Sequence, residues 1–137
     1  MSDLTFDIES VDGRRIAFAD TGVVFIKGDA GDFAYVVAKG QVEIRLGGHV
    51  VETIQPGELF GEMALIDSDT RSASAVAVGP TELIVIDRAL FDRLIVEEPD
   101  FAMKVMRLMA RRLRATMATN RQPPEEFPVG IPRQSAG

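Results

Sequence analysis

Cysteine is absent from this chain, and histidine occurs once. The first absence excludes thiol catalysis, thiolate metal ligands and disulfides, and leaves the compartment open. His49 sits beside Gly47-Gly48, where a solvated turn is a simpler role than general-base chemistry. No clustered histidines support a zinc or iron site, and the Asp67, Asp69 pair lacks the rest of a calcium-binding loop, so neither a metal nor a catalytic residue is expected. Positive charge is also short: 15 Lys and Arg stand against 21 Asp and Glu, a formal net charge of −6. A general nucleic-acid surface needs the opposite balance. No apolar run approaches the roughly 20 residues that span a bilayer. The opening Met1-Ser2-Asp3-Leu4-Thr5-Phe6-Asp7 has neither the basic start nor the apolar centre of a secretory signal. The expected location is the cytoplasm, with no membrane partner.

What is present suffices for one core. The 137 residues fit a single domain, and 46% of them are hydrophobic, including eight Phe and six Met. After a lead segment, residues 1–14, the chain breaks into short β-branched and apolar runs divided by turn residues. These are Thr21 to Ile26, Phe33 to Ala38, Gln41 to Leu46, His49 to Ile54, Arg71 to Val78 and Thr81 to Asp87. Gln41-Val42-Glu43-Ile44-Arg45-Leu46 alternates cleanly, as a strand with one wet face does. Gly47-Gly48 then permits a tight hairpin. So many short antiparallel strands need curvature or closure to cover their edges. The expected fold is mainly β with flanking helices: an antiparallel, jelly-roll-like β-roll followed by C-terminal helices, within residues 15–119.

The periodicity changes after Asp87. Phe91, Leu94 and Ile95 suit a short amphipathic helix, and Pro99 with Asp100 opens a longer one. In that helix Phe101, Ala102, Val105, Met106, Leu108, Met109, Leu113 and Met117 cover an apolar arc of roughly 180°. Part of the arc suffices to pack on the roll; the rest can meet a second copy or close over a ligand. Lys104, Arg107, Arg111, Arg112 and Arg114 load the later turns, in agreement with the helix dipole and with a solvated face, the competing reading being a site that binds acidic partners. Residues 120–137, with four prolines, read as a flexible tail.

The densest chemical signal is Pro56-Gly57-Glu58-Leu59-Phe60-Gly61-Glu62-Met63-Ala64-Leu65-Ile66, followed by Asp67-Ser68-Asp69-Thr70-Arg71-Ser72-Ala73. Gly61 and Ala64 allow main-chain donors to come close to an anion, and Arg71 adds a charge-assisted contact. Glu62 suits a hydroxyl donor rather than a phosphate. On local physics alone two readings stand: a ligand site, or an internal Glu62–Arg71 salt bridge that pins the loop.

The chain resembles the cyclic nucleotide-binding domain family from about Phe18 to Leu113. The resemblance lies in Gly22-Val23-Val24-Phe25-Ile26-Lys27-Gly28-Asp29-Ala30-Gly31-Asp32-Phe33-Ala34-Tyr35-Val36-Val37, in Gly40-Gln41-Val42-Glu43-Ile44, and in the cassette Phe60-Gly61-Glu62-Met63-Ala64-Leu65 through Arg71-Ser72-Ala73. It implies reversible binding of cyclic AMP or cyclic GMP by Gly61, Glu62, Met63, Ala64, Arg71, Ser72 and Ala73. In that reading Glu62 accepts the ribose 2′-hydroxyl and Arg71 meets the cyclic phosphate. The Ser72 hydroxyl donates and accepts, so it does not decide between adenine and guanine; family frequency favours cyclic AMP. Gly28, Gly31, Gly40, Gly47 and Gly48 are expected in turns, Phe33 and Tyr35 in or near the core, and Val50 and Ile44 beside the base.

The resemblance also implies that the helix of residues 99–118 carries occupancy to a homodimer partner or a separate effector. The chain turns into its proline-containing tail where a winged helix-turn-helix would follow, so direct DNA binding is not expected. The competing class is a ligand-independent interaction module with the same fold.

Overall fold

The computed structural model describes residues 5–67 and 69–120. In chain order the elements are β1 (Arg14–Phe18), β2 (Val23–Phe25), β3 (Phe33–Leu46), β4 (His49–Ile54), β5 (Leu59–Phe60), α1 (Glu62–Asp67), β6 (Ser74–Asp87), α2 (Arg88–Glu97) and α3 (Pro99–Asn120). A short helical turn at Ile8–Ser10 precedes them. The six strands form an antiparallel roll in the order β1-β6-β3-β4, with β2 added to β6 and β5 to β3. Residues 121–137, and with them nearly all of the expected tail, lie outside the described residues.

The spine is β3 paired with β6 from Phe33↔Asp87 to Arg45↔Ser74. The sequence suggests two runs in each of these stretches, and the structure joins them. Gly40 lies at φ +86° and Gly79 at φ +72°, and the register shifts between Val37 and Gln41. The interruptions are therefore bulges that bend continuing strands. A Cβ at Gly40 would stand 2.5 Å from the Pro80 carbonyl oxygen, so the two bends can meet only with glycine there. The β3–β4 hairpin turns through Gly47 and Gly48, both at positive φ, and pairs Leu46 with His49.

Alternation along the spine divides the interior in two. Ala34, Val36 and Ala38 of β3, with Ile84 and Ile86 of β6, face Leu65, Leu90, Phe91, Leu94, Phe101, Val105 and Leu108 from the helices. Tyr35 and Val37, with Leu83 and Val85, point the other way, onto Val42, Ile54, Phe60 and Ala75 inside the roll. Both faces of the middle of β3 are thus covered, and Ala34–Ala38 is buried without a break. The lead segment adds Phe6 and Val11 to the helix-side core. Asp87 caps α2 by accepting from the Leu90 amide at 2.8 Å. Among the described residues no helix is long and apolar enough to cross a membrane.

Candidate functional site

Arg71 lies before β6 instead of inside it. Its backbone bridges to the β2–β3 turn: its amide donates to the Asp29 carbonyl at 2.8 Å, and its carbonyl accepts from Gly28 at 2.9 Å. The expected strand from Arg71 accordingly begins three residues later, and Arg71, Ser72 and Ala73 remain in the cassette loop. Gly31, expected as a turn residue, has a second role. A Cβ on it would fall 2.0 Å from the Ala64 Cβ, so glycine there lets the turn close against α1.

The guanidinium of Arg71 is drawn into the roll, and the residue is 5% exposed. Nη1 donates to the Gly61 carbonyl at 2.9 Å and Nη2 to the Phe33 carbonyl. Cζ sits 4.0 Å from the centre of the Phe25 ring, a cation–π arrangement. Nε is buried and has no hydrogen-bond partner among the described residues. Burial pushes the Arg71 pKa down, opposed by Tyr35, Asp32, Asp29 and Glu62. Tyr35 is raised, chiefly by its own burial. It stacks on Phe60 with ring centres 5.3 Å apart, a core group as expected.

Glu62 opens α1 and is 1% exposed. Its carboxylate does not bond to Arg71. Its partner is Arg112 of α3, whose Nη1 donates to both Glu62 oxygens at 2.9 and 2.8 Å. The internal salt bridge between Glu62 and Arg71 is therefore not the arrangement found. Arg112 also donates to Glu52 of β4 through Nε and Nη2, at 3.3 Å each, and to the Leu59 carbonyl at 2.9 Å. Burial alone would lower its pKa, but Glu62 and Glu52 together hold it above the ordinary arginine value.

Arg112 corrects the expectation of a solvated basic face, since its side chain keeps 19% exposure and lies against the site. The signal was in the helix pattern. Phe101, Val105 and Leu108 are the buried stripe of α3, and Arg112 falls four residues further on the same face. A cation continuing a buried apolar stripe needs a buried partner.

The other expected ligand residues surround this pair. Ala64 is buried, Gly61 and Ala73 are half-buried, and Ser72 and Met63 are exposed. Ile44 packs on the edge of the roll core, whereas Val50 is 48% exposed. Arg88, at the start of α2, donates to the Leu65 carbonyl and ties the far end of α1 to the helices. Among the described residues no group of His, Asp and Glu could hold a metal ion.

Fold and loop together define the class: a β-roll domain with a short helical cassette inserted before its last long strand. A family profile described as "Cyclic nucleotide-binding domain" matches residues 15–98. The "Cyclic AMP receptor protein" of Thermus thermophilus is 46% identical over 96 residues, which are 66% of this chain and 44% of that protein. The crystal structure of the Thermus thermophilus Catabolite Activator Protein superposes at a TM-score of 0.71 with 40% identity, covering 78% of this chain and 53% of that one. A structure described for a cyclic-GMP-dependent signalling pathway that regulates bacterial phytopathogenesis matches at a TM-score of 0.66 and 29% identity, over 80% of this chain and 88% of that one. The chain belongs to the cyclic nucleotide-binding domain family. It spans less than half the length of its Thermus relative.

Proposed function

We propose that this chain binds a cyclic nucleotide reversibly, cyclic AMP before cyclic GMP, and that residues 15–119 act as a non-catalytic sensor that passes occupancy on through α3. The observation that carries this reading is the orphan Nε of Arg71, a buried cationic donor at the cassette. A buried charged donor left unpaired is costly, and the exocyclic oxygen of a cyclic phosphate is an acceptor of matching chemistry. Glu62 would accept the ribose 2′-hydroxyl, with Gly61, Met63, Ala64, Ser72 and Ala73 lining the approach. The cyclic AMP preference rests on the name of the Thermus relative and on family frequency. The description of the cyclic-GMP pathway structure keeps cyclic GMP as its competitor.

One observation favours the ligand-independent module: Arg112 already satisfies Glu62. Calorimetric titration with cyclic AMP, cyclic GMP and linear AMP separates the two. Saturable binding of a cyclic nucleotide, with linear AMP weaker, supports the sensor. A folded protein that takes up neither cyclic nucleotide leaves the interaction module.

The homodimer partner has its own support in α3. Met103, Met106, Ala110, Leu113 and Met117 follow one another at spacings of three and four residues and are all exposed. That is the a/d repeat of a two-helix seam, and it suits a second copy of the same helix.

A further inference from the structure

Arg71 is a buried cation whose direct partners are all uncharged. Two of its nitrogens donate to the Gly61 and Phe33 carbonyls, and among the described residues no carboxylate lies within ion-pair distance of it. What covers the guanidinium is the Phe25 ring, whose centre is 4.0 Å from Cζ; the Tyr35 ring stands further off, at 5.9 Å. The face of an aromatic ring attracts a cation through its quadrupole and leaves the charge in place. A carboxylate at the same point would neutralise the arginine and compete with an incoming phosphate.

The strand and the cassette bring the two groups together. β2 advances two residues, Val23 to Phe25, while β6 opposite it advances one, Val76 to Ala75. Such a bulge re-aims the side chain beside it. Phe60 and Tyr35 back the ring, with centres 6.1 and 6.2 Å away. Shortly after Phe25, the Gly28 amide and the Asp29 carbonyl bond to the Arg71 backbone, so ring and guanidinium are tied at their roots. Gly61 completes the fit. A Cβ there would stand 2.9 Å from Arg71 Nη1 and 3.5 Å from Phe25 Cε2, within the space the pair occupies.

We propose that Phe25 is a positioning residue for the nucleotide site: its ring holds the Arg71 guanidinium in place without neutralising it, so that a cyclic phosphate meets a pre-placed, full positive charge. The proposal rests on the cyclic nucleotide reading of the site. Without the ring the guanidinium gains alternative rotamers, and ordering it again becomes a cost of binding. Phe25 acts through Arg71, not by touching the ligand.

The test titrates cyclic AMP and cyclic GMP calorimetrically into the full chain and into variants at this one position. Phe25→Leu, which stays apolar but has no π face, is expected to weaken both nucleotides by the same factor, about threefold to tenfold, because they share the phosphate. Phe25→Tyr keeps the face and is expected to stay within about twofold of the wild type. Phe25→pentafluorophenylalanine keeps the ring shape while fluorine withdraws electron density from its face; it is expected to weaken binding as Leu does, and it serves should the Leu variant fail to fold. In the free protein, the order parameter of the Arg71 Nε–H, read by NMR, is expected to fall in the Leu and fluorinated variants and to hold in Tyr. A merely structural Phe25 would let the fluorinated ring bind nucleotide and order Nε–H as the wild type does, and that result overturns the proposal while leaving the sensor reading intact. Tighter binding by the fluorinated variant also overturns it, since the ring would then be a cover that the nucleotide must displace. A wild type that binds no cyclic nucleotide removes the sensor reading itself, and this proposal with it.

Discussion

Arg71 is a structural residue as well as a candidate ligand contact, and the two roles separate by substitution. Removal of its guanidinium frees the Gly61 and Phe33 carbonyls and opens a gap over Phe25. Arg71→Ala is therefore expected to lower stability by about 2–4 kcal/mol in chemical denaturation, on the scale of lost buried hydrogen bonds and a cavity, and to abolish nucleotide binding. Arg71→Lys keeps the charge and loses the fork, so it retains more stability than Ala but binds nucleotide at least tenfold more weakly. Lysine binding at wild-type affinity would remove the guanidinium from the site. At this scale Glu62 and Arg71 stood out in the sequence because a carboxylate beside Gly61 and an arginine lie at the two ends of one short segment, and their expected roles came from the family resemblance. Their partners did not stand out. The Phe33 carbonyl and Arg112 lie 38 and 50 residues away from them along the chain, and only the folded roll brings them to the cassette.

Each helix and strand can be judged by which face it buries. In α3 the buried stripe Phe101, Val105 and Leu108 packs on the roll, and the Met103 to Met117 stripe is left outward. Leu108 is 2% exposed, so Leu108→Ala should destabilise the fold by about 2–5 kcal/mol in denaturant titration. A loss below about 0.5 kcal/mol, the range of surface substitutions, would mean that α3 does not dock as described. The amphipathic helices, the β4 hairpin and the alternation of β3 were legible because each is a local periodicity. Strand β1 is half-exposed or exposed throughout and escaped notice, since its strand state depends on pairing with distant β6. The continuity of β3 and β6 escaped for the opposite reason. Gly40, Gly79 and Pro80 look like breaks locally, yet two matching bulges let the ladder run through them.

For the whole molecule, the outward stripe of α3 and the inward Arg112 lie on one helix. A nucleotide shifts assembly only to the extent that it binds one arrangement better. Light scattering across concentration is expected to show a dimer, and Leu113→Glu, which places charge on a 60% exposed seam position, is expected to return a folded monomer whose melting temperature no longer rises with protein concentration. A wild type that stays monomeric at all concentrations, with and without cyclic AMP, would remove the seam. The roll architecture was legible as a whole, whereas the way α3 closes on the cassette was not, because it depends on three elements meeting at one guanidinium. Arg71 Nε is a buried donor without a partner among the described residues, and the proposed cyclic phosphate would supply one. Nitrogen–proton NMR of the arginine side chains measures it directly. On addition of cyclic AMP, but not adenosine, the Arg71 Nε–H resonance is expected to move downfield and become protected from exchange with water. An Nε–H signal that cyclic AMP and cyclic GMP both leave unchanged would contradict the account.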